Sequence, residues 1–198
     1  MNVAEGFLAR VSRWFAWGGG ALILASAFLV TLDVIFRSLF QSTRFESFEL
    51  SGYAFAISTA FGFAFAFFSK AHIRIEVVYN FLPRPVRALL DTLSVAILAG
   101  IAGTLLYWCA RVVMQNAASG AKTNSTLGLA IAVPQSIWLL GLAWFAVSAV
   151  VVALIALWQL LRGDVEAITR DLGVSTLDEE INASGARVAA PTNAAAER

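Results

Sequence analysis

The chain has few of the residues that carry redox, metal or nucleophilic chemistry. Its 198 residues include one cysteine, Cys109, and one histidine, His72. A single cysteine excludes an intrachain disulfide, and a haem held between two helices commonly needs two histidines. The glycines at 18–20 lie inside an apolar run and do not resemble a phosphate-binding loop. We therefore expect no cofactor, no metal site and no enzymatic activity.

Charged residues are scarce as well. They make up 14% of the chain, whereas hydrophobic residues make up 59%. A typical soluble domain has about 25% charged residues, so too few remain here to coat a water-soluble globule. The net charge of +1 and the lack of any run of Lys and Arg exclude nucleic acid as a partner. The composition predicts an integral membrane protein.

Four apolar stretches are long enough to cross a membrane as helices. Crossing a hydrocarbon layer of about 30 Å takes roughly 20 helical residues. Pro134 suits the first turn of a long fourth helix that continues to Leu161. We predict an all-α membrane domain over residues 14–161, with four transmembrane helices at about 14–36, 50–69, 88–110 and 133–161.

Small and large residues alternate in the second span, which is also the pattern of a strand. Both sets are mainly apolar, and the run is about twice as long as a membrane strand, so a helix is favoured. On a helix the small residues form two seams that let neighbouring helices approach closely. We expect the helix to be packed on both seams, one made of Gly52, Ala56, Ala60 and Ala64 and the other of Ala54, Ser58, Gly62 and Ala66.

The amino terminus allows two alternatives. Arg10 and Arg13 precede an apolar run that contains the small residues 25–27, as in a signal peptide. The run continues well past these residues, so we predict an uncleaved first helix. Residues 1–13 form either an amphipathic helix lying in the membrane interface or the plain start of the first helix.

The positions of Lys and Arg predict that both termini are cytoplasmic. Ten of the 14 lie before the first span, between the second and third spans, or after the fourth. Positively charged loops stay on the cytoplasmic side. After Leu161 the chain turns polar, so residues 162–198 are expected to form a cytoplasmic tail, disordered from about residue 178.

Charges near the span ends have local partners in the sequence. Asp33 and Arg37 are four residues apart, as are Arg87 and Asp91, so each pair can interact on its own helix. The spans show no row of carboxylates or hydroxyls that would carry an ion. A self-contained channel or exporter is therefore disfavoured.

Acidic and His-containing segments flank the second span. An acidic residue opens it, and Ala-His-Ile, an acidic residue and Leu-Pro follow its end. This pattern resembles the small membrane subunit, DctQ-type, of tripartite ATP-independent periplasmic (TRAP) transporters. The matching residues are Glu49, Ala71, His72, Ile73, Glu76, Leu82 and Pro83, and before the fourth span Ser125, Thr126, Leu127, Val133, Pro134 and Trp138. Two positions depart from the family's pattern but keep a chemically similar side chain: Phe48 stands where Trp is common, and Glu76 where Asp is common.

The resemblance implies a partner role in a bacterial inner membrane. A large DctM-type subunit would carry the substrate and sodium sites, and a periplasmic DctP-type binding protein would deliver an organic acid. The small subunit would scaffold the large one within the lipid and help dock the binding protein. The runner-up is a membrane-anchor subunit of a respiratory or quinone-linked complex, which the single histidine disfavours.

The candidate interface residues fall into three groups. Arg44, Glu46 and Glu49 lie at the expected periplasmic end of the second span, where Glu49 either pairs with a partner or simply favours the helix dipole. His72 and Arg74 lie at the cytoplasmic end, near headgroups or helix ends. The remaining candidates are Lys122, in an expected periplasmic connection over residues 111–126, Pro134, and the seam residues Gly52, Ala56, Ala60 and Ala64.

Overall fold

The computed structural model describes residues 3–40, 46–69, 82–123 and 128–172. These residues form helices α1 (Val3–Phe40), α2 (Ser47–Phe68), α3 (Arg84–Ala118), α4 (Ala132–Leu161) and α5 (Val165–Leu172). The first four are long and apolar enough to cross a membrane. The all-α fold with four membrane-spanning helices is thereby confirmed, and the strand alternative for the second span is excluded.

Two helices are longer than the apolar pattern indicates. α1 has 38 residues and α3 has 35, which correspond to about 57 and 52 Å. α1 begins at Val3, so the residues before Trp14 continue the first span without a break. α3 runs two turns past Ala110. The hydropathy signal stops at charged residues such as Arg111, whereas backbone hydrogen bonding continues through them.

The four long helices lie side by side in the order α1, α2, α4, α3. α1 touches α4 only slightly, and within the described residues neither α1 nor α2 packs closely against α3. The result is an open layer whose edges are α1 and α3. Large apolar side chains such as Leu24, Phe28 and Ile97 are exposed on it.

Small residues build the centre of the layer. Ala60, Ala102 and Ala149 are fully buried. At Gly141, a Cβ would lie 2.6 Å from Phe61 Cδ1 and 3.0 Å from the carbonyl carbon of Ala60. α4 therefore approaches α2 to near backbone contact, as small residues permit in membranes.

A short helix, α5, follows the fourth span. The chain turns through Gly163 at φ +72°, in the left-handed region that favours glycine. Asp164 Oδ1 then accepts a hydrogen bond from the Ala167 N–H at 3.1 Å, which caps α5. Ile168 is fully buried where α5 packs on α3 and α4. α5 lies in the segment that the sequence predicts as a polar tail. The predicted disorder from residue 178 lies outside the described residues.

Candidate partner-binding interface

Two helix connections meet at one end of the layer, which we name the Lys122 end. α1 ends and α2 begins there, and α3 ends and α4 begins there as well. The buried carboxylate of Asp33 joins the first pair: its Oδ2 accepts hydrogen bonds from Ser47 Oγ at 2.7 Å and from Arg37 at 2.9 Å. The predicted pairing of Asp33 with Arg37 is confirmed, and Ser47 extends it between helices.

The connection between α3 and α4 at this end begins later in the chain than the sequence predicts. Residues 111–118 continue α3, and the turn that follows is closed by an antiparallel bridge between Lys122 and Ala130. Asn116 Nδ2 donates to Gln135 Oε1 at 2.9 Å, which ties α3 to α4. The expected connection over residues 111–126 is therefore corrected. Lys122 is exposed on the bridged segment.

A groove of about 710 Å³ lies between α1 and α2 toward the Lys122 end. We name it the α1–α2 groove. Glu49 lines it beside Tyr53, whose hydroxyl donates to Glu49 Oε1 at 2.6 Å. The other lining residues are mostly apolar or small, among them Ile23, Ala27, Val30, Phe48, Gly52 and Phe55.

The seam residues of α2 have different surroundings along the helix. Ala60 and Ala64 are buried, the former against Gly141 of α4. Gly52 and Ala56, nearer the Lys122 end, are exposed. Contact of these two with a partner remains a prediction.

The other small-residue seam of α2 meets α1. Ala54 and Ser58 are buried. Ser58 Oγ donates to the Gly19 carbonyl at 2.8 Å, and a Cβ on Gly19 would lie 3.1 Å from the Ser58 carbonyl oxygen. α2 therefore contacts two neighbours of its own chain at mid-height.

An aromatic cluster joins three helices toward the other end of the layer. Phe15 of α1 stacks on Trp144 of α4 at 5.8 Å and meets Phe61 of α2 edge-on at 4.8 Å. Trp144 Nε1 donates to Ser12 Oγ at 3.0 Å. These contacts account for the limited direct packing of α1 on α4.

The remaining candidates differ in what the structure describes of them. Pro134 is buried in the first turn of α4. Glu46 is half-buried, and its carbonyl oxygen accepts the Leu50 N–H at 3.1 Å. Arg44, His72 and Arg74 lie outside the described residues.

The α1 side of the groove cannot be identified from the sequence. Nothing in an apolar helix marks which face meets its neighbour, so Ala27 and Val30 carry no distinguishing signal. The available signal was Glu49, an acidic residue at the start of an otherwise uncharged span.

Comparison with known families gives a match over residues 26–163, more than half of the chain. The matching family is described as "Tripartite ATP-independent periplasmic transporters, DctQ component". No curated protein and no solved structure matches. The match agrees with the resemblance seen around the second span, and it does not favour a respiratory anchor or a self-contained channel.

Proposed function

The chain belongs to the family of DctQ components of TRAP transporters, and from this premise we propose that it scaffolds the large DctM-type subunit in the bacterial inner membrane. The observation that carries the proposal is the open layer of four helices. Its edges and exposed apolar side chains leave broad surfaces that lipid or a larger membrane protein can cover. Its role is non-enzymatic.

The interior of the layer supports a scaffold role and argues against an ion pathway through this subunit. Among the described residues, the buried charged side chains are Glu5, Asp33 and Asp91. Each lies toward an end of its apolar stretch, so they do not form a row across the layer. Sodium and the organic acid would therefore bind in the large subunit, and the sodium gradient would drive uptake there.

The Lys122 end is proposed to face the periplasm and to help dock the DctP-type binding protein. Lys and Arg are sparse in the two connections at this end and abundant at the other, in line with the positive-inside rule. Exposed Lys122 sits on a segment braced by the hydrogen bond from Asn116 to Gln135. Arg44 belongs to the neighbouring connection.

Reconstitution tests the proposal. The chain is co-expressed with its large subunit and binding protein and placed in proteoliposomes with a sodium gradient. We expect the two membrane subunits to co-purify and uptake of an organic acid to require all three proteins. Equal uptake without the small subunit would contradict the scaffold role.

Charge reversal tests the docking role separately. Lys122→Glu and Arg44→Glu should raise the binding-protein concentration needed for half-maximal uptake. Arg13→Glu, an exposed reversal at the opposite end, is the control and should leave that concentration unchanged.

A further inference from the structure

Hydrogen bonds between the helices fix their relative heights, where height means position along the helix axes of the layer. Ser12 Oγ of α1 accepts a hydrogen bond from Trp144 of α4, and Asn116 of α3 donates one to Gln135 of α4. Trp144 and Gln135 are nine residues apart, so the two contacts differ in height by about 14 Å. Because α1 and α3 both end at the Lys122 end, their residues can be placed on one scale.

On this scale the two edge helices are strongly staggered. Leu39 of α1 is 70% exposed and lies about 27 Å beyond the height of Asn116. At the other end, Leu89 of α3 is 53% exposed and lies about 27 Å beyond the height of Ser12. Exposed apolar side chains thus cover about 68 Å of height, more than twice the hydrocarbon thickness of about 30 Å. An upright layer would leave many of them in water.

Two exposed arginines lie in the middle of this range. Arg13 follows Ser12 directly, and Arg111 precedes Asn116 by five residues, so the two arginines differ in height by only about 5 Å. Arg13 nevertheless comes before the apolar stretch of α1, whereas Arg111 comes after that of α3. In an upright layer both charges would lie deep in the hydrocarbon, where a charge is costly.

Exposed tryptophans accompany charges at the ends of the apolar stretches. Trp14 is 73% exposed beside the first of these arginines, and Trp108 is 59% exposed with the Arg111 guanidinium 5.9 Å from its ring centroid. Near the end of α4, the Arg162 guanidinium lies 3.6 Å from the ring centroid of Trp158. Trp and Arg both suit the boundary between lipid and water. These residues therefore mark that boundary at different heights on different helices.

We propose that the bilayer crosses this layer obliquely, so that Arg13 and Arg111 reach opposite headgroup layers. The apolar stretches at 14–36 and 88–110 have midpoints about 32 Å apart in height. Across the layer, α1 and α3 are separated by three helix-to-helix distances of about 9 Å each. A bilayer midplane through both midpoints tilts the helix axes by roughly 45° from the membrane normal. The inference concerns the lipid around the subunit and does not depend on the proposed function.

The lengths of the edge helices agree with this tilt. At 45°, crossing the hydrocarbon takes about 42 Å of helix, or about 28 residues, whereas an upright helix needs only about 20. α1 has 38 residues and α3 has 35. Both helices are therefore long enough to cross obliquely and still reach into the headgroups at each end.

Spin-label depth measurements test the oblique crossing. Trp14, Leu24, Ile97 and Trp108, all exposed, are replaced one at a time by a labelled cysteine in a Cys109→Ser background. The full chain is placed in vesicles of phosphatidylethanolamine and phosphatidylglycerol, and relaxation by oxygen and by a water-soluble nickel chelate reports the depth of each label. We expect labels at Leu24 and Ile97 near the bilayer centre, and labels at Trp14 and Trp108 near the headgroups.

An upright layer gives the reverse order. Trp14 and Trp108 share nearly the same middle height, whereas Leu24 and Ile97 differ by about 33 Å and would lie toward opposite surfaces. Labels at Trp14 and Trp108 that are as deep as the other two, or deeper, would overturn the inference.

Polarised infrared spectroscopy tests the tilt without any substitution. The amide I dichroism of the native chain in oriented bilayers gives the mean angle between the helix axes and the membrane normal. We expect a mean tilt of roughly 45°. A mean tilt near the ordinary value of about 20° for transmembrane helices would overturn the inference.

Discussion

Asp33 shows how a carboxylate persists inside an apolar helix. It is 0% exposed, and one oxygen accepts hydrogen bonds from both Ser47 and Arg37. A buried charge is costly unless it is paired and hydrogen-bonded. Arg37 stays 59% exposed, so the guanidinium can reach water or headgroups while it neutralises the carboxylate.

Ser47→Ala should lower the stability of the subunit by about 0.5–1.5 kcal/mol, because the hydrogen bond between α1 and α2 is lost. Ser136→Ala is the control. Ser136 is exposed, and its hydroxyl donates to the Ala132 carbonyl of its own helix. Thermal unfolding in detergent measures both, and equal midpoints for the two variants would refute a stabilising role for the Asp33–Ser47 contact.

Gly141→Ala should destabilise the subunit by about 1–3 kcal/mol, since the added methyl overpacks the α2–α4 contact. The Cβ would stand 2.6 Å from the Phe61 ring and 3.0 Å from the Ala60 backbone. Gly100→Ala has nothing within 4 Å and should change stability by less than about 1 kcal/mol. A native unfolding midpoint for Gly141→Ala would contradict the close approach.

At the scale of elements, α5 is held by the buried side chains of Ala167 and Ile168. Ile168 is 0% exposed, and Asp164 caps the helix before it. Eight residues do not form a stable helix alone, so α5 depends on packing against α3 and α4. It thereby fixes the start of the chain's polar tail against the layer.

Ile168→Ala should loosen α5, because truncating a buried Ile costs about 2–5 kcal/mol and Ile168 is fully buried against α3 and α4. Hydrogen exchange of the amides in Val165–Leu172 would report the loss as faster exchange. Glu166→Ala, at an exposed position of the same helix, serves as the comparison. Unchanged protection in Ile168→Ala would show that α5 is held by other contacts.

At the scale of the molecule, helix order decides what the protein can do. Placing α4 between α2 and α3 buries the small residues of the centre and leaves α1 and α3 as edges. A closed four-helix bundle would bury more of its own surface and offer less to a partner. The open layer thus leaves more surface for the proposed partner.

Labelling tests the orientation of the layer. In a Cys109→Ser background, Lys122→Cys should react with a membrane-impermeant maleimide in intact cells, and Glu166→Cys should react only after lysis. Both positions are exposed. We expect this labelling pattern because Lys and Arg are in excess at the α5 end of the layer, which predicts that this end is cytoplasmic. The opposite labelling pattern would invert the proposed periplasmic face.

The sequence alone determined the class of protein, its membrane-spanning helices and the ion pair within the first of them. Uncharged stretches of about 20 residues specify helices, because lipid offers no partner for free backbone groups. The spacing of Asp33 and Arg37 specified their pairing, since residues four apart share a helix face. The residues around Glu49 and Pro134 indicated the family.

Only the tertiary structure decided which surfaces are open. Gly52 and Ala60 belong to one seam of the sequence, yet Gly52 is exposed beside Glu49 and Ala60 is buried against Gly141. The hydropathy pattern also did not predict the extension of α3 to Ala118 or the docking of α5. In an apolar helix every face has similar hydropathy, so the choice of neighbour rests on shape, and shape exists only once the helices have packed.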